Sequence, residues 1–178
     1  MPGESGSGLD ELLPEWHFRE LHRIAVEGAE EDVMRAVYET TWPEAPLARA
    51  LMAITKADVS AGRRIVPDFL GGMGEVIPSG GTEFLFAGVQ SPYDIPRPPG
   101  AVSEIIRDCG DPGILKIGMN VRYARGTLTT ETRILATDER TRKNFLPYWL
   151  LIRFGSGLTR MSMLRAIRRR VRRESGRG

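Results

Sequence analysis

The chain has 178 residues, 41% hydrophobic and 27% charged, which is the make-up of one ordinary globular domain with a sizeable core. No run of about 18 apolar residues exists to span a bilayer as a helix, and the opening MPGESGSGLDELLPE lacks the basic-then-apolar order of a signal peptide. The net charge of +2 is unevenly spread: residues 139–178 carry 12 Lys/Arg against 2 Asp/Glu, which leaves the preceding residues acidic. This favours a basic terminal helix lying on an acidic body over an anion-seeking tail for nucleic acid or an acidic membrane.

Residues 1–14 are Gly/Ser-rich and acidic, and are expected to be a flexible segment, followed by one domain over 15–175. From Trp16 the pattern alternates. Trp16, Phe18, Glu20, His22, Ile24 and Val26 share one face, and His17, Arg19, Leu21, Arg23 and Ala25 the other, as in a strand with one buried side. EGAEEDVMRAVYETT reads as a short helix with acids in its first turn, where the helix dipole favours them, and a stripe of Val33, Met34 and Val37. Trp42-Pro43 ends it. Pro46 suits the first turn of a second helix, in which Leu47, Ala50, Leu51 and Ile54 face one way.

Strand candidates follow at 72–78 and 82–90 around the turn-like PSGG. SPYDIPRPPG is irregular because proline lacks the backbone donor, and AVSEIIRDCG fits either a short strand or a helical turn. GILKIGMNVRY is the clearest strand, with Leu115, Ile117, Met119, Val121 and Tyr123 on one face and Lys116, Asn120 and Arg122 on the other. A tight turn at Gly126 leads into the Thr-rich strand TLTTETRILA. There Glu131 and Arg133, alternating with Thr129, read as members of solvated cross-strand pairs.

Thr137 or Asp138 caps the last helix. Phe145, Trp149 and Ile152 form its first stripe, and Met161, Leu164, Ile167 and Val171 its second. Pro147 and the glycines of Gly155-Ser156-Gly157 predict a kink or short break between them.

FRELHRIAV leading into AEEDVMRAV, the LTTETRILATD strand-to-helix join, and FLPYWLLIRFGSGLTRMSMLRAIRRR resemble the START-like (SRPBCC) superfamily, in particular its bacterial polyketide cyclase/dehydrase-like and lipid-transport-like branch. Residues 58–110 follow the pattern loosely. The resemblance implies an α+β helix-grip fold, in which a curved antiparallel β-sheet wraps a long C-terminal helix and two short helices follow strand 1. It also implies a mostly apolar internal cavity between sheet and helix. The expected partner is then a small hydrophobic or aromatic molecule, lipid- or polyketide-like. Phe18, Glu20, His22, Met119, Tyr123, Thr130, Phe145, Tyr148, Trp149 and Ile152 would line the site.

Glu20 and His22 have inward parity, so each needs a hydrogen-bond partner. They form either a structural network, with Arg133 or Thr130, or the acid/base pair of a cyclase/dehydratase. Tyr123 and Tyr148 are amphipathic core residues or cavity donors. Arg153 lies on the surface or reaches over the pocket mouth. A basic-helix interaction module is the third reading.

No cofactor or metal is expected: the two histidines, His17 and His22, take opposite strand faces and lie far from Cys109. GGMGEV lacks the third glycine of a dinucleotide fingerprint, and FGSGL lacks the spacing of a nucleophile elbow. A lone cysteine fits a reducing, cytoplasmic setting, and the domain reads as a monomer or weak homodimer with nucleic acid disfavoured.

Overall fold

The computed structural model describes residues 6–93 and 95–176. The elements are α1 (Gly8–Leu12), β1 (Phe18–Ala25), α2 (Glu30–Glu39), a 3-10 turn at Trp42–Glu44, α3 (Pro46–Ile54) and a π-turn at Ile65–Leu70. They continue with a 3-10 turn at Gly71–Met73, β2 (Glu75–Ile77), β3 (Glu83–Gln90), α4 (Val102–Asp108), β4 (Leu115–Ala124), β5 (Thr127–Ala136) and α5 (Glu139–Ser175). The strands form one antiparallel sheet in the order β1-β5-β4-β3-β2. Helices cover both of its faces: α5 packs on β1 and β5, with α2 and α3 against α5, while α1 and α4 lie on β3 and β4.

The β4–β5 hairpin closes on Arg125 and Gly126, both at positive φ (50° and 75°). This is the two-residue turn whose twist matches the flanking strands, and glycine enters that region without penalty. ATDERTRKN becomes helix because Asp138 accepts from the Thr141 backbone N–H and hydroxyl. Those bonds, with one from the Gly113 N–H, hold the Asp138 carboxyl at about 2 against the ordinary 3.8. A depressed pKa contributes stability above the unfolded value, lost as pH falls through the folded one. The α5 cap should therefore hold above about pH 4 and loosen progressively toward about pH 2, a trend that Asp138→Asn removes in thermal melts across that range.

Four expectations change. First, Gly8–Leu12 and the following Leu13 are not loosely attached. Ser7 and Asp10 form a reciprocal cap, and Leu9 and Leu13 are buried on the sheet. Residues 1–5 of the expected flexible segment lie outside the described residues.

Second, Glu131 and Arg133 are buried rather than solvated. Arg133 donates to Glu131 (2.7 Å), to the Leu9 and Leu13 carbonyls (3.3 and 3.1 Å) and to Asp10 (2.5 Å), and its guanidinium stacks on Trp16 at 4.3 Å. Burial pushes the Glu131 carboxyl up, but hydrogen bonds and charge from Arg19 and Arg133 outweigh it and hold the group below its usual value. Sequence alternation shows a strand's two faces but not which face a distant helix covers.

Third, the apolar face of α3 points outward. Leu47 and Ile54 are exposed, and small Ala48 goes inward, its N–H donating to Ser162 of α5. Close helix–helix approach selects the small residue over the larger ones. Fourth, α5 runs unbroken through Pro147 and the two glycines. AVSEIIRDCG resolves as helix, over Val102–Asp108.

The basic end of α5 lies on the acidic body. On one side of the α5 terminus Arg170 pairs with Glu39 and Glu44, and Arg173 with Glu44.

Candidate functional site

The interface between the sheet and α5 has three levels. Nearest the start of α5, Phe18, Phe145 and Trp149 pack together, with ring centroids of Phe18 5.2 and 5.7 Å from those of Phe145 and Trp149. Nearest its end, Leu164, Ile167 and Val171 pack on Val121 and Leu128. Between these apolar levels lies a polar belt.

Strand register builds the sheet side of the belt. Glu20 is paired with Thr132 and His22 with Thr130, and in the next ladder Thr132 meets Met119 and Thr130 meets Val121. Period-two alternation puts Glu20, Thr132 and Met119 in one row on the α5 side. Ser156, Gly157 and Arg160 supply the helix side. At Gly157 a Cβ would sit 3.2 Å from both Glu20 Oε1 and His22 Cε1, so only glycine brings the helix backbone this close to the carboxylate without displacing it.

His22 Nε2 lies 2.7 Å from Glu20 Oε1, and Ser156 Oγ donates to Glu20 Oε2 at 3.0 Å. Arg160 donates from Nε to Ser156 Oγ and from a terminal nitrogen to Thr130 Oγ1, each at 3.0 Å, and its other nitrogen meets Met119 Sδ at 3.1 Å. Arg160 as a whole residue is half-buried. Burial nonetheless pushes its guanidinium below the ordinary value, with the Glu20 charge opposing. Thr132 Oγ1, beside Glu20, is buried with no hydrogen-bond partner among the described residues, and its residue is 6% exposed.

Next to the aromatic level, a groove of about 510 Å³ opens to solvent between β1 and α5. Phe18, Leu146, Trp149 and Leu150 form its apolar wall, and its charged rim holds Arg19, Arg153, and Arg142 and Lys143 paired with Glu139. This hollow is open to solvent, and none of the belt residues lines it. Arg153 sits at its mouth.

The expected site residues divide accordingly. Phe18 and Trp149 line the groove, and Phe145 and Ile152 pack in the same aromatic cluster. Glu20, His22, Thr130 and Met119 meet in the belt. Tyr123 stands apart, donating to the Val26 and Gly28 carbonyls at 3.0 Å each, and so pins the β1–α2 connection. Tyr148 is exposed and rests against Phe145. Arg133 does not partner Glu20, since it occupies the opposite face of the sheet. Arg160, Ser156 and Thr132 were missed. Arg160 had a signal, since it falls on the same stripe as Trp149, Ile152, Ser156 and Leu164, where a cation must find a partner. Among the described residues no group of three or more His, Cys, Asp or Glu is placed to hold a metal ion.

Fold and site together define an α+β protein with an open five-stranded antiparallel sheet, a long C-terminal helix laid along one face, and a charged belt inside that contact. Compared with protein-family models, with curated proteins and with solved structures, the chain matches none of them.

Proposed function

We propose that this is a START-like helix-grip domain that binds a small hydrophobic or aromatic molecule, lipid- or polyketide-like, between the sheet and α5. The apolar part of the ligand rests on the Phe18–Trp149 wall, and its polar group meets the belt. Strand order, with β1 beside the last strand and two helices after β1, supports the assignment.

The observation that carries the reading is the belt's composition. Charge placed in an apolar contact rarely stabilises more than apolar residues of the same shape, and an unsatisfied buried hydroxyl costs about 1–3 kcal/mol. Folding alone gives no reason to keep Glu20, Arg160 and an unpartnered Thr132 together in an otherwise apolar contact. A ligand polar group hydrogen-bonding Thr132 supplies one.

Thr132→Val separates the two accounts. It should raise stability by about 1 kcal/mol in chemical denaturation by removing the orphan hydroxyl, while weakening retention of the fluorescent probe anilinonaphthalene sulfonate or of a co-purifying molecule. A stability gain with binding unchanged would leave the belt purely structural.

The His22–Glu20 contact at 2.7 Å supports a second reading, in which the pair moves protons in a cyclase/dehydratase-type reaction. Turnover of a polyketide-like substrate that is abolished by Glu20→Gln and by His22→Ala would favour it. Binding that survives both changes, with no turnover, would favour the carrier reading.

A further inference from the structure

The outward side of α5 carries a second apolar stripe that the ligand site does not use. Leu151, Phe154 and Leu158 are spaced three and four residues apart, on one face of the helix. They are 77%, 82% and 54% exposed. The spacing continues through half-buried Met161 into Arg165, Arg168 and Arg172, whose side chains make no hydrogen bond or ion pair among the described residues. Four, seven and eleven residues before Leu151, the same face carries Pro147, Asn144 and Arg140. The apolar stretch is therefore bounded by cations at both ends. The arginines that pair with the acidic body, Arg170 and Arg173, are different ones.

We infer that this stripe docks on an anionic lipid surface. Charge selects that occupant. An antiparallel second copy centred on Phe154 would bring Arg140 against Arg168, and a parallel copy would stack each arginine on its own equivalent. Either pairing sets like charges together at both ends. A duplex nucleic acid would satisfy the arginines but leave Leu151, Phe154 and Leu158 in water. An anionic bilayer interface takes both: apolar side chains enter the acyl boundary while Arg165 and Arg172 meet headgroup phosphates. The inference rests on the outer face of α5 and does not depend on what the belt binds.

The test is flotation of the full chain with vesicles of phosphatidylcholine, alone or mixed with phosphatidylglycerol. The chain should float with the mixed vesicles and stay behind with the neutral ones. Leu151→Glu with Phe154→Glu should lower the bound fraction about tenfold or more. Arg165→Glu and Arg172→Glu should each lower it by about fivefold or more. Circular dichroism should be unchanged in each variant because the altered residues are exposed, and Thr132→Val should float like the wild type. Absence of binding to the mixed vesicles, or binding indifferent to the double Glu variant, would overturn the inference. So would a wild-type dimer in sedimentation that Leu151→Glu dissociates, because it would give the stripe to a second copy. Salt-sensitive retention of duplex DNA without vesicle binding would likewise give the arginines to nucleic acid.

Discussion

Replacing Arg133 with alanine should destabilise the protein by about 3 kcal/mol, read as a fall in the denaturation midpoint at constant slope. That is the low end of the range for breaking a buried ion pair, because Arg19 still reaches Glu131. Arg19 Nε donates to the same Glu131 oxygen at 2.7 Å, so the carboxylate keeps one cation. What goes unanswered are the Leu9 and Leu13 carbonyls and Asp10, which tie α1 to the sheet. The loss should be local as well as global: amide exchange should accelerate first over Gly8–Leu12. Acid should mimic the change. Glu131 and Asp10 are both held below their usual values of 4.5 and 3.8, so their contribution is complete above about pH 4.5 and fades as pH falls below it. A cost under about 1 kcal/mol would mean that water already screens the network.

Trp149→Ala should cost about 3–5 kcal/mol, the usual range for truncating a buried aromatic side chain. Trp149 is 6% exposed and packs on both Phe18 and Phe145, so the rings that remain cannot both move into its space. It also forms part of the groove's apolar wall. Probe binding should therefore fall together with stability, whereas Trp149→Phe should recover most of the stability and part of the binding. If binding were unaffected by Trp149→Ala, the ligand would not sit in the groove.

Much of the scaffold was legible because its periodicities are local. The 3.6 pattern of Val33, Met34 and Val37 and the period-two pattern of Leu115 to Tyr123 each specify one element without reference to the rest of the chain. Glu20 and His22 were legible for the same reason: parity alone aims them at the apolar side of β1. Whatever depends on a distant neighbour was hidden. Glu131 and Arg133 are buried only because α1 lies over them, and α1 itself is masked by Gly/Ser-rich context, although Ser7 and Asp10 carry the spacing of a reciprocal cap. The apolar side of α3 faces water because Ala48 permits a tighter contact with Ser162 than Leu47 would. Arg160 was readable in principle, as a cation on an apolar stripe. Its partners Ser156, Thr130 and Met119 come from three elements, and only folding brings them together.

The most direct measurement is native mass spectrometry of the full chain purified from the organism that encodes it, alongside the Thr132→Val form prepared identically. A small organic adduct on the wild-type chain, diminished or lost in the variant, is the predicted result. A wild-type mass equal to that of the bare polypeptide, together with a belt that tolerates Thr132→Val with no change in probe binding, would contradict the proposal.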